Sequence, residues 1–179
     1  MHKRSPWASG AAKHVNGAGA QKQFVILASR FNQPITRRLV RGAADVLRRA
    51  GASSRNIRLL WVPGAFELPV AASHVATRLP RPDAIIAVGT LIRGDTAQYE
   101  VIARAVAQGL TQVSVRTGVP VTFGVIVAET AAQAAARSGL PAPRRQARQA
   151  GGSICNRGAE AAQAALSVLK LFDRLPGPR

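Results

Sequence analysis

Acidic residues are scarce in this 179-residue chain: eight Asp and Glu face 25 Lys and Arg, leaving a formal net charge of +17. Aromatic residues make up only 4%, and there is a single cysteine, Cys155. Each shortage excludes something. One thiol rules out an intramolecular disulfide framework and a multi-thiolate metal site. Few aromatics leave little for bases to stack on, so the charge alone argues for non-specific nucleic-acid contact at most. No apolar run approaches the roughly 20 residues that span a bilayer. The basic N-terminus lacks the apolar segment of a secretory signal, so a cytoplasmic protein without a membrane partner is expected. Three histidines and one cysteine show no clustering with carboxylates that would suggest a metal.

What remains is a globular composition, 47% hydrophobic, at the length of one domain. Only four of the cations are lysines (Lys3, Lys13, Lys22, Lys170), so the charge is an arginine surface. Its members are scattered: Arg37, Arg38, Arg41, Arg48 and Arg49 on one helix, and Arg144, Arg145 and Arg148 in one loop.

Residues 1–23 are rich in Gly, Ala, Ser, Lys and His without periodicity, and read as a flexible basic arm. Phe24 to Ser29 is a continuous apolar run, the pattern of a strand buried on both faces. Asn32 suits an N-cap and Pro34 a first helical turn; Ile35, Leu39, Ala43 and Leu47, with Val40 and Val46, form the apolar stripe, and Gly51 ends it. A second strand, Ile57 to Val62, meets the Pro63-Gly64 turn, with a helix following to about Leu79. The third strand, Ala84 to Val88, leads through Gly89-Thr-Leu-Ile-Arg-Gly-Asp-Thr96 into a helix near Gln98. Val101, Ile102, Ala105, Val106, Leu110 and Val113 are expected on its inner face. A fourth strand, Val121 to Val127, precedes a short helix near Thr130 to Arg137. A long loop at 139–153 comes next, then a helix from Arg157 to Leu175 with Ala162, Leu166, Leu169 and Phe172 inward, and a tail at 176–179.

Alternating strands and helices predict an α/β fold: three α/β/α layers around a four-stranded parallel sheet, flavodoxin-like in plan. Ligands bind such sheets beyond the carboxyl ends of the strands. Phe31, the Pro63–Glu67 turn and the Leu91–Gln98 loop fall there. Phe31 suits either a core aromatic capping the sheet or a wall for a planar ligand. Glu67 could complement a helix dipole or accept hydrogen bonds from a polyol or amine. The loop from Gly89 has the glycine spacing of a P-loop but Asp95 where its lysine belongs, so it suits an anion at a helix N-terminus better than a nucleoside triphosphate.

The motifs Phe31-Asn32, Val62-Pro-Gly-Ala-Phe-Glu-Leu-Pro69, Gly89-Thr-Leu-Ile-Arg-Gly-Asp-Thr96, Phe123-Gly-Val and Asn156-Arg-Gly-Ala-Glu-Ala-Ala162 together resemble the 6,7-dimethyl-8-ribityllumazine synthases over 24–175. The resemblance implies condensation of 5-amino-6-(D-ribitylamino)uracil with 3,4-dihydroxy-2-butanone 4-phosphate, the penultimate step of riboflavin synthesis, with no cofactor. It implies that Phe31 stacks on the pyrimidine, that Ala65, Phe66 and Glu67 hold the ribityl chain, and that Leu91 and Ile92 offer backbone groups to the uracil. Gly94, Asp95 and Thr96 would bind the phosphate with Arg137 of a neighbouring subunit. Phe123, also from the neighbour, would close the pocket, with Arg157 at a position where the family has a lysine.

Two departures stand out. Gln98 occupies the family's histidine position, and an amide cannot exchange protons near neutral pH. Such exchange is worth about 10²–10⁴ in rate, so a reduced turnover is expected, or a non-catalytic ligand-binding or scaffold paralogue. The loop at 139–153 is longer than the family's connection, which implies a homo-oligomer that stays a pentamer rather than closing a sixty-subunit shell.

Overall fold

The computed structural model describes residues 19, 21–78, 80–140 and 155–175. β1 (Phe24–Ser29) is buried at all six positions because a neighbour lies on each side and helices cover both faces. β2 (Ile57–Val62), β3 (Ala84–Ile92) and β4 (Val121–Ala128) complete a parallel sheet of order β2-β1-β3-β4. This is the expected four-stranded, three-layer fold. β3 extends to Ile92, four residues beyond the expected end, since β4 continues to pair with it as far as Ala128.

α1 (Gln33–Arg49) and α5 (Arg157–Phe172) cover one face, packing Leu39, Leu47, Ala162 and Leu166 against Ile26, Ile86 and Val88. α2 (Leu68–Thr77) and α3 (Gln98–Thr117) cover the other, where Leu68, Val106 and Leu110 meet Leu27, Ile85 and Ala87. α4 (Ala131–Ala136) is a short helix after β4, capped by the Thr130 hydroxyl, which accepts from the Gln133 N–H. Small residues set the closest helix contact. A Cβ on Gly158 would overlap the Leu39 carbonyl, so α5 crosses α1 backbone against backbone.

Several expectations are corrected. Asn32 stands at the head of α1 but its side chain does not cap the helix. It adopts the left-handed conformation (φ 55°) and donates its amide to the Thr90 carbonyl at 3.0 Å, tying the β1–α1 turn to β3. Val101 is 66% exposed and Phe172 46%, so neither belongs to its helix's inner stripe. α2 ends at Thr77 and α5 at Phe172, each short of the expected end. Most of the 1–23 arm, the 176–179 tail and the loop from 141 onward lie outside the described residues. The end of the arm is fixed. Lys22 pairs with Asp173 at 2.9 Å and Asp83 at 3.8 Å, and the hydrogen bond to Asp173 holds its ammonium above the usual lysine range.

Part of the arginine surplus has structural partners. Arg30 and Arg37 lie 5.7 and 5.9 Å from the ring centre of Trp61 on β2, within cation–π range. No helix among the described residues is long and apolar enough to cross a membrane.

Candidate active site

The carboxyl ends of β1, β2 and β3 open onto a cleft of about 360 Å³ between the β1–α1 turn and the α2 and α3 N-termini. Phe31, Ala65, Phe66, Glu67, Leu91, Ile92, Gly94, Thr96 and Gln98 all line it. Nine of the thirteen residues singled out from sequence therefore share one cavity. Phe31 and Phe66 are exposed at its rim, 71% and 60%, where an aromatic ring is free to cover a flat ligand. Phe31 thus does not cap the core; its N–H is held by the Pro63 carbonyl at 3.2 Å, which leaves the ring outside.

Glu67 ends a single 3-10 turn (Ala65–Glu67), and its Oε2 accepts the Gly64 N–H at 2.7 Å. One carboxylate oxygen thus shapes the turn at the cleft wall. On the opposite wall, Arg93 donates its N–H to the Ala128 carbonyl at 2.9 Å, fixing where the chain leaves the sheet. The chain then runs through Gly94 to α3, whose N-cap is Ala97, a residue without a side-chain acceptor. The Glu100 N–H bonds the Ala97 carbonyl at 3.1 Å, so the N–H groups of Gln98 and Tyr99 begin this 20-residue helix at the cleft without a side-chain cap. A Cβ on Gly94 would meet nothing within 4 Å. That glycine is not demanded by packing within the subunit, and it leaves the backbone open to close approach by an anion. Asp95 is exposed and does not line the cleft.

Tyr99 and Ile102 also line the cleft, and sequence reasoning missed both. They sit one turn apart on α3, a spacing that marked Ile102 as core and gave Tyr99 no role. The Tyr99 hydroxyl donates to Glu100 Oε1 at 3.1 Å; desolvation and this carboxylate push it above the usual phenol range. It stays protonated at neutral pH and is a hydrogen-bond donor, not a base.

Phe123, Arg137 and Arg157 lie elsewhere. They line a second cleft of about 410 Å³ with Val125, Ile126 and Val127, on the free edge of β4. Two backbone links hold its arginines together: the Arg157 N–H bonds the Arg137 carbonyl at 3.0 Å, and Ser138 bridges Asn156. Asn156 is the organiser here. Its Oδ1 accepts the Ala159 N–H to cap α5, while its Nδ2 donates to the Ser138 and Arg38 carbonyls at 2.9 and 3.1 Å. Cys155 donates to Glu160 Oε1 at 2.7 Å; burial, then this bond, pushes its thiol above the usual range. Among the described residues, no group of three or more His, Cys, Asp or Glu is placed to hold a metal ion.

The family model described as 6,7-dimethyl-8-ribityllumazine synthase matches residues 21–173. A 6,7-dimethyl-8-ribityllumazine synthase of Gemmatimonas aurantiaca is 45% identical over 156 residues, 87% of either chain. Proteins of the same name from Halorhodospira halophila and Leuconostoc mesenteroides are 41% and 36% identical over 153 and 154 residues, 86% of this chain and 90% of each relative.

Proposed function

The chain belongs to the 6,7-dimethyl-8-ribityllumazine synthase family, and from that premise we propose how its two clefts perform the condensation. The chain is a transferase of riboflavin biosynthesis that joins 5-amino-6-(D-ribitylamino)uracil to 3,4-dihydroxy-2-butanone 4-phosphate, and it acts without a cofactor. The observation that carries the reading is the first cleft, where an exposed aromatic face, a half-committed carboxylate and an uncapped helix N-terminus meet. A ligand pair with one flat ring, one polyol and one phosphate needs those three features.

In this reading Phe31 stacks on the pyrimidine and the backbone at Leu91 and Ile92 bonds its edge. Glu67 Oε1 accepts from the ribityl hydroxyls beside Ala65 and Phe66. The butanone phosphate sits over Gly94, Asp95 and Thr96. Arg137, Arg157 and Phe123 belong to the β4-edge cleft, so they complete the site only from a neighbouring subunit. Two different apolar surfaces support such a contact: Phe66, Val70 and Val101 beside the first cleft, and Phe123 and Val127 on the β4 edge, all more than 40% exposed. Unlike surfaces that meet head to tail generate a closed ring when the rotation allows. A pentamer is the ring we propose, in the cytoplasm, with the long loop after Gly139 keeping it from closing into a shell.

Gln98 faces the cleft at the position where a proton carrier would help. Holding the two substrates together still supplies much of the acceleration, so turnover persists at a reduced rate. The same residue favours the second reading, a paralogue that binds a ribitylated pteridine without turning it over. Assay of product absorbance from the two substrates separates them. Catalysis above the spontaneous reaction, increased in Gln98→His, supports the enzyme; tight pteridine binding with no rate in either protein supports the binder.

A further inference from the structure

Beside the β4-edge cleft, and outside its lining, stands a carboxylate that anion binding would not call for. Glu160, in the first turn of α5, takes Arg157 Nη1 on Oε2 at 2.6 Å and the Cys155 thiol on Oε1 at 2.7 Å. The Cys155 sulfur in turn accepts Arg137 Nη1 at 3.6 Å. A negative charge beside Arg137, the proposed phosphate ligand, and its neighbour Arg157 opposes phosphate electrostatically, so its presence requires another account. As a stabilising ion pair it does little, because both Arg157 and Glu160 are nearly half exposed.

We infer that Glu160 and Cys155 form a positioning bridge that holds Arg157 directly and Arg137 through the thiol, so that both guanidinium groups enter one cleft already ordered. Arginine side chains carry large rotamer freedom, and ordering one costs binding a factor of about 2–10. The bridge removes that cost before the phosphate arrives. The backbone bond from Arg157 to Arg137 fixes where the two side chains start; the Glu160–Cys155 link fixes where they end. Both are positioning residues, since neither lines the cleft. The inference rests on the reading of Arg137 as a phosphate ligand.

The two accounts of Glu160 predict opposite signs. If it positions, removing it weakens phosphate; if it merely neutralises charge, removing it strengthens phosphate. The test uses the assembled protein, with inorganic phosphate as a competitive probe and the KM of the phosphate-bearing substrate as a second readout. Glu160→Gln is expected to weaken inorganic phosphate and raise that KM roughly tenfold, with kcat changed far less. Cys155→Ala is expected to give a smaller loss, and Cys155→Ser, which can still bridge, to recover most of it. Phosphate binding that is unchanged or tighter in both Glu160→Gln and Cys155→Ala, while Arg137→Ala abolishes it, overturns the bridge alone. Binding that is insensitive to Arg137→Ala overturns the phosphate reading, and the bridge with it.

Discussion

Glu67 accepts the backbone N–H of Gly64 at 2.7 Å, so the residue expected to hold a polyol also builds the wall on which it sits. Glu67→Ala is expected to lose about 1 kcal/mol of stability, the worth of a capping hydrogen bond, and to raise the KM for the pyrimidine substrate. Glu67→Gln retains an acceptor for Gly64 and restores the stability but not all of the affinity. Urea unfolding beside initial-rate kinetics separates the two roles.

Asn32 combines a left-handed backbone with a bond to the Thr90 carbonyl. Asn32→Gly keeps the conformation and loses the bond, at a cost of about 1 kcal/mol. Asn32→Ala loses both and should cost about 2 kcal/mol. Equal losses in the two variants by urea denaturation would show that the backbone conformation contributes nothing.

Packing of α1 on α5 should be intolerant of one methyl group. Gly158→Ala places a Cβ against the Leu39 backbone carbonyl, where no side chain can yield. A loss of about 3 kcal/mol is expected. Gly94→Ala, which meets nothing within the subunit, should leave stability unchanged and weaken the phosphate-bearing substrate instead. Thermal melting and KM values provide the comparison.

Cys155 provides a pH test. Its thiol is raised from 9.0, first by burial and then by Glu160. The protonated form is thus favoured in the fold; the associated stability is present below pH 9 and lost as pH rises through the folded value. Alkylation by iodoacetamide should be slow at pH 7, with its midpoint above that of a free thiol. Glu160→Gln should move the midpoint down. A midpoint at or below 9 in the unmodified protein would contradict the bonded thiol.

Sheet, crossovers and most of the first cleft were legible in the sequence, because each rests on a local signal. The apolar run of β1, the Pro63-Gly64 turn and the glycines around Gly94 all declare themselves within a few residues. What was not legible depends on distant partners. Asn32 was read as a helix cap because only the fold brings the Thr90 carbonyl, 58 residues away, within its reach. Val101 and Phe172 have helical periodicity but lie where no layer covers them in the subunit. Tyr99 was invisible for the opposite reason: its neighbour Gln98 drew the reading, and nothing in the pattern says that a helix's first turn presents two consecutive residues to one cleft. Asn156 and Glu160 are marked by their motif, yet their bonds to Arg38, Ser138 and Cys155 follow only from tertiary structure.

The most direct test of a site completed by two subunits is to mix two inactive variants. Phe31→Ala combined with Glu67→Ala disables the first cleft; Arg137→Ala disables the β4-edge cleft. Each variant alone should form little product. Unfolded and reassembled together, they form interfaces of which roughly a quarter carry neither defect, and product formation should return towards that fraction of the unmodified protein's rate. A mixture no more active than its components, although mass spectrometry shows mixed oligomers, would contradict the account.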